Sequence, residues 1–340
     1  MTPRRAAAVP PASRRLAARA APALALALAG ALAAPAAHAQ SGAYPARPVR
    51  LIVAYAAGGV GDLVGRLVAK VLVREFGQPV VVENLVGAGG TIGTQACANA
   101  EPDGYTLCMG SPSSVVVAPM VVQGVRYDAH AFAPVSLIAS LPNMIVASPK
   151  LGVKNVDEWL RWTRANPGAA WGTSGIGTTN HLTAIYLNRQ YGTKIEHVPY
   201  KGGVLAIQDV LAGHIPMAMD QLSTTLPHIR AGTLVPIAVS GSTRLTILPD
   251  VPTLAETLLP KYRNDSYQGV FTQARVPPAI VERIGAALQK AVASDESLRA
   301  QLVELGGVPI GNSPAQFRQI VEESAPLLRE LVVASGIAPK

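Results

Sequence analysis

Three stretches of very small residues each follow an apolar run and open a helical pattern. They are Ala56-Ala57-Gly58-Gly59-Val60-Gly61-Asp62, Gly110-Ser111-Pro112-Ser113-Ser114 and Thr173-Ser174-Gly175-Ile176-Gly177-Thr178-Thr179. A helix begins with backbone N–H groups that have no partner inside it, and its N-terminus carries a partial positive charge. Glycine and alanine let an anion come close to those groups, and serine and threonine hydroxyls add further donors. Such loops suit the capture of a carboxylate or phosphate largely by main chain. Each loop taken alone is equally well explained by tight strand-to-helix packing; three in one chain favour binding.

Covalent and redox chemistry find less support. Gly172-Thr173-Ser174-Gly175-Ile176 departs at its last position from the nucleophile elbow G-x-S-x-G. Ser174 and His181 are seven residues apart with nothing in the sequence to bring them together. His197, His214 and His228 lack metal-ligand spacing, so no metal site is expected. Gly59-x-Gly61-x-x-x-Gly65 with Glu83 imitates a dinucleotide fingerprint, but the spacing is wrong and Asp62 would repel a pyrophosphate. Asp220 closes an apolar strand pattern, where an acid either faces a cleft or caps the next helix. No cofactor is expected, and the chain is read as a binding protein rather than an enzyme, with a dinucleotide-dependent enzyme as the weaker alternative.

The elements that must hold these loops alternate between strand and helix. Residues 49–55 form an apolar strand run. Leu63, Val64, Leu67, Val68, Val71 and Leu72 then recur at helical spacing. Strands are predicted over 80–82, 105–109, 143–147, 169–172, 197–200, 215–219 and 235–240. Helices are predicted over 88–100, 156–165, 179–190 and 204–212. The C-terminal part reads as mostly helical, with Pro278 in a first turn, Ser313-Pro314 as a cap and Pro326 as a kink or break. The fold class is α/β with two sheet-forming blocks. No linker separates the blocks, which implies that the chain crosses between them on extended strands.

With 340 residues, 49% of them hydrophobic and 15% charged, the chain is large enough for two domains and is not disordered. Its net charge of +8 is concentrated at the start. Residues 1–39 hold Arg4, Arg5, Arg14, Arg15 and Arg19 and no acid; the remainder has 24 basic against 21 acidic residues, about +3. A nucleic-acid partner is therefore not expected. The basic start, the Ala/Leu run over 20–36 and Ala37-His38-Ala39 form the three parts of an export signal, with cleavage predicted between Ala39 and Gln40. No cysteine lies near that site to carry a lipid, and no later run is long enough to span a membrane. Export would permit a Cys97–Cys108 disulfide; two buried thiols are the equal alternative.

The ordered motifs carry a resemblance. Tyr44-Pro45 with Pro48, Gly58-Gly59-x-x-Asp62, Val80-Val81-Val82-Glu83-Asn84 and Gly87-Ala88-Gly89-Gly90-Thr91-Ile92-Gly93 come first. Pro102-Asp103-Gly104-Tyr105-Thr106-Leu107, Ser174-Gly175-x-Gly177, His181-Leu182, His197-Val198-Pro199-Tyr200-Lys201-Gly202 and Pro249-Asp250-Val251-Pro252-Thr253 follow. In that order they resemble the periplasmic substrate-binding receptors of tripartite tricarboxylate transporters. The resemblance implies a two-lobed type II periplasmic-binding fold with the ligand in the cleft, lobe one being 44–141 plus 267–340 and lobe two 142–266. It implies a periplasmic monomer that binds a small organic acid and delivers it to membrane permease subunits, or, alternatively, a sensor feeding a signalling system. It assigns ligand binding to Tyr55, Ala56, Ala57, Gly58 and Gly59, to Ser111 and Ser113, to Ser174, Gly175, Gly177, Thr178 and Thr179, and more weakly to Asp220. The chain departs from the family where Ala54-Tyr55-Ala56-Ala57 replaces a proline-rich first loop and where Tyr267 replaces a tryptophan.

Overall fold

Alternation between buried faces decides where the strands of this protein lie. In the computed structural model, which describes residues 44–87, 90–241, 243–260 and 266–337, the first sheet contains β1 (Val49–Val53), β2 (Val80–Asn84) and β3 (Thr106–Gly110). It is completed by β4 (Phe132–Leu141), β10 (Ser266–Gln273) and the short β11 (Val308–Pro309), in the order β11-β4-β10-β3-β1-β2. The neighbours β2 and β3 run parallel to β1, whereas β10 is antiparallel to both β3 and β4.

The second sheet contains β5 (Asn143–Ala147), β6 (Ala170–Thr173), β7 (Glu196–Pro199), β8 (Met217–Gln221) and β9 (Val235–Val239), in the order β7-β6-β8-β5-β9. Along β5, Ile145 and Ala147 enter one buried cluster while Met144 and Val146 enter another on the opposite face. Every residue of β5 is buried, which is why its sequence reads as an unbroken apolar run. A single residue, Pro142, separates β4 of the first sheet from β5 of the second. The chain thus changes sheets on extended backbone, and it re-enters the first sheet at Ser266.

The helices follow amphipathic patterns and local caps. The first, α1 (Val60–Phe76), buries Val64, Leu67, Val68, Val71 and Leu72 and stops at left-handed Gly77. Leu63, grouped by spacing with that apolar face, is instead exposed. A short α2 (Thr91–Ala98) leads to β3, and the disulfide Cys97–Cys108 ties the two together. After the π-helical turn Ser113–Val117 comes α3 (Ala118–Val121). Beside the second sheet lie α4 (Val156–Ala165), α5 (Thr179–Tyr191), α6 (Gly203–Ala212) and α7 (Leu222–Arg230). The chain ends with α8 (Pro278–Ser294), α9 (Glu296–Glu304) and α10 (Pro314–Ser335).

Pro278 occupies the first turn of α8, and Ser313 and Gln316 form a reciprocal capping box on α10. Contrary to a break, α10 continues through Pro326 to Ser335, because Leu328, Leu331 and Val332 beyond the proline stay buried in the core with Phe317 and Val321. Three strands escape the sequence patterns: β4, β10 and the two-residue β11. Pro134 lies within β4 next to a register shift, where a missing N–H is tolerated. Gly269 interrupts β10 because the ring of Phe317 fills the space a side chain would need. No helix among the described residues is long and apolar enough to cross a membrane. The predicted export signal over 1–39 lies outside the described residues.

Candidate functional site

The first small-residue loop is locked from beneath. Asp62, only 1% exposed, accepts hydrogen bonds from the Gly58 N–H (2.9 Å), from Arg66 Nε (2.9 Å) and from Asn84 Nδ2 (2.9 Å). Burial alone would raise its pKa, but these bonds outweigh it and hold the carboxyl below its ordinary value. Asn84 also donates to the Tyr55 carbonyl (3.0 Å). Glycine at 61 is required because a Cβ there would run into the Tyr55 ring. So fixed, Tyr55 donates its hydroxyl to Ser111 Oγ at 2.8 Å, joining the first loop to the second. Ser111 is held in turn by Ser114, whose Oγ accepts from the Ser111 N–H at 3.0 Å.

The third loop carries two positive-φ glycines, Gly175 (φ 138°) and Gly177 (φ 75°), conformations that L side chains rarely adopt. Thr178 caps α5 by accepting from the His181 N–H, and it donates to the Gly175 carbonyl at 2.8 Å. The loop rests on two histidines. His181 Nδ1 accepts from the Gly177 N–H at 3.2 Å, and its ring stacks on His197 with centroids 3.7 Å apart. His197 Nε2 lies 2.6 Å from Thr173 Oγ1. Burial pushes both imidazoles down to about 4, and at His181 the neighbouring His197 lowers it further. At neutral pH the pair is uncharged.

The loops meet at a cavity of about 460 Å³. From the first sheet and its loops come Tyr55, Ser111, Ser113, Ser266 and Gln268; from the second come Asn143, Ser174, Thr178, Thr179, Asn180, Gly203, Val204, Asp220, Gln221 and Thr224. Thr179 and Gly203, the first residues of α5 and α6, border it, as do Gln221 and Thr224 at the N-cap and in the first turn of α7, so three helix N-termini converge there. None of these lining residues is lysine, arginine or histidine. The single ionisable carboxyl is Asp220, 4% exposed and raised to about 6 because burial strips its charged form of water. Thr224 Oγ1 donates to it, and the Gln221 N–H helps to hold the charged form.

Of the residues singled out from sequence, the cavity brings together Tyr55, Ser111, Ser113, Ser174, Thr178, Thr179 and Asp220. Ala56, Ala57, Gly58 and Gly59 are exposed beside Tyr55 and are not among the lining residues. Gly175 and Gly177 shape the third loop rather than line the cavity. Sequence reasoning missed Asn143, Asn180, Gly203, Val204, Gln221, Thr224, Ser266 and Gln268 as lining residues. Asn143 and Asn180 gave a faint signal: each is a buried amide at an element's start, and Asn143 Nδ2 donates to Thr179 Oγ1 at 3.2 Å. Gln268 gave none. A larger concavity of about 560 Å³ lies between α5 and α10. Its polar side chains are already engaged, Asn188 with the Ile195 carbonyl and Arg189 with Glu330. Among the described residues no cluster of three or more His, Cys, Asp or Glu could hold a metal ion.

Residues 64–336 match the family described as "Tripartite tricarboxylate transporter family receptor". This chain belongs to that family. Protein BugT of Bordetella pertussis is 32% identical over 283 residues, covering 82% of this chain and 86% of BugT. Rpa4515 of R. palustris, solved with adipate, is 31% identical with a TM-score of 0.74, covering 87% of this chain and all of Rpa4515. MatC from Rhodopseudomonas palustris, solved with bound malate, is 28% identical with a TM-score of 0.70 over 85% of this chain and all of MatC. The fold is therefore the two-lobed α/β architecture of periplasmic solute-binding proteins. The family match begins at residue 64, after the Tyr55 loop.

Proposed function

We propose that this chain is an exported receptor that captures a small carboxylate in the 460 Å³ cavity and delivers it to the permease subunits of a membrane transporter. The observation that carries this reading is the composition of the cavity wall: hydroxyls, amides and three helix N-termini, with no basic side chain. A carboxylate bound there is stabilised by main-chain donors and helix dipoles, as in anion sites at helix starts generally. The adipate and malate bound by relatives of 31% and 28% identity support the same ligand class.

In this reading residues 1–39 are the cleaved export signal, lobe one is 44–141 plus 267–340, and lobe two is 142–266. Ligand contacts come from Tyr55, Ser111, Ser113, Ser174, Thr178, Thr179 and Asp220 on the cavity wall, joined on closure by the neighbouring backbone of Ala56, Ala57, Gly58, Gly59, Gly175 and Gly177. The ligand touches both lobes only when they are closed, so binding shifts the population toward the closed form that the permease senses. The protein acts as a monomer, holds no cofactor and performs no chemistry on its ligand.

The test is a thermal-shift screen of the purified protein against small organic acids. A ligand that binds only the native state at one hundred times its Kd adds about 2.7 kcal/mol of stability. At least one acid is expected to raise the melting temperature, and Ser174→Ala with Thr178→Ala is expected to abolish the rise. A folded protein whose melting temperature responds to no acid would refute the reading.

A further inference from the structure

A helix on the surface of a domain normally buries one apolar stripe, but α5 buries two. Ala184, Leu187 and Tyr191 fall on one side of it and pack into the core of the second sheet, with Trp159 and Trp171. Leu182, Ile185 and Tyr186 recur at helical spacing on nearly the opposite side. These three pack into the core of the first sheet, with Leu328, Leu331 and Val332 of α10. Among the described residues they are the only ones from 142–266 in that cluster, and Leu182 is fully buried there. The same stripe continues to Arg189, whose guanidinium meets the Glu330 carboxylate of α10 at 2.6 Å, across 141 residues of sequence.

The two sheets are also joined covalently, at Pro142 and again where the chain re-enters at Ser266. Extended crossings of that kind act as hinges and leave two bodies free to rotate. The seam between α5 and α10 is different, because it is non-covalent and can part. The other end of α5 bears on the binding site: Thr179 in its first turn and Thr178 at its cap both line the cavity. About 15 Å of helix, at 1.5 Å per residue, separates Thr179 from Arg189. A helix moves as one piece, so seating the seam also sets where the third loop stands opposite Tyr55 and Ser111.

We propose that the seam between α5 and α10 is an interlobe latch. Leu182, Ile185 and Tyr186 packed on α10, with the Arg189–Glu330 pair at the edge, hold the lobes in the arrangement in which both line the cavity, before any ligand arrives. This goes beyond the receptor reading and does not depend on which ligand is bound. The apparent affinity of a site scales with the fraction of molecules already competent to bind, so the latch strengthens binding through residues that never touch the ligand. The apolar packing carries most of the hold; the exposed ion pair adds less and fixes the register.

Small-angle X-ray scattering of the purified protein, dialysed free of ligand, tests this. Ile185→Asp places a charge in the seam, and Glu330→Arg sets two cations against each other. Each is expected to raise the radius of gyration, with the open fraction increasing by about threefold or more. The side chains of Arg189 and Glu330 are 52% and 57% exposed, so exchanging their charges leaves both cores intact. Combining Arg189→Glu with Glu330→Arg is expected to return the radius to the wild-type value, which a general loss of packing would not do. Circular dichroism and thermal melts establish that each variant is folded. A radius unchanged in either folded single variant, or a charge exchange that fails to close what Glu330→Arg opened, would overturn the latch. Neither result bears on whether the cavity binds a carboxylate, which the thermal-shift screen decides separately.

Discussion

A Cβ placed on Gly203 would overlap the carboxyl group of Asp220, so the first residue of α6 and the acid at the end of β8 exclude every side chain from position 203. The two come from separate elements, and their approach shapes one wall of the cavity. Gly203→Ala is expected to destabilise by about 1–3 kcal/mol, the usual cost of overpacking, and to weaken ligand binding by more than tenfold. Adding Asp220→Ala should restore much of the stability without restoring binding. Urea unfolding of the single and double variants measures the coupling.

Asp220 itself should reduce stability at neutral pH. Its folded pKa of about 6 lies above its ordinary 3.8. Between those values the folded state holds a proton that the unfolded state has released, so this residue's contribution falls as pH rises through the window and stays low above it. Asp220→Asn is expected to raise stability by on the order of 2 kcal/mol at pH 7.5 and by almost nothing below pH 4. Thermal melts of both proteins at the two pH values check the difference.

The histidine pair acts in the opposite direction. Both imidazoles are lowered from 6.5 to about 4 by burial, so the unfolded chain binds more protons between those values. Stability from this source is present above about pH 6.5 and is lost progressively as pH falls toward 4. For His181, which is almost fully buried, the loss approaches about 1.4 kcal/mol per pH unit. Proton NMR should show two histidines that remain neutral at pH 5.5. Protonation of the folded protein would also convert His181 Nδ1 from acceptor to donor and break its bond to the Gly177 N–H, so ligand affinity should hold at pH 5.5 and fall only as pH approaches 4.

Thr178 joins cap to site. Thr178→Ala removes the acceptor for the His181 N–H and should cost about 1 kcal/mol, whereas Thr178→Ser should cost only a few tenths. Denaturant unfolding of the two variants separates the loss of the cap from any effect on binding measured by titration.

The Cys97–Cys108 bridge closes a short loop, 11 residues apart in sequence, between α2 and β3. Chain-entropy reasoning assigns it about 3 kcal/mol. Reduction, or replacement of both cysteines by alanine, should lower the melting temperature by at least several degrees. An unchanged melt would show that packing alone holds these elements.

The sequence by itself determined the α/β class, most strand and helix positions, the family and the three small-residue loops. These depend on local periodicity, capping residues and glycines, which act over a few neighbours. It also placed Tyr55, Ser111, Ser174 and Thr178 among the binding candidates, because loops after strands face the cleft in such folds. Only the tertiary structure decided that Cys97 and Cys108 are bonded, that α10 runs through Pro326, and that Asn143, Gly203 and Gln268 border the cavity. Those outcomes depend on which distant segments meet. Gln268 sits in a strand interrupted by Gly269, and nothing within β10 reveals that this residue borders a cavity opposite a second sheet. Two sheets joined through Pro142 set that cavity, and with it which distant residues share its wall.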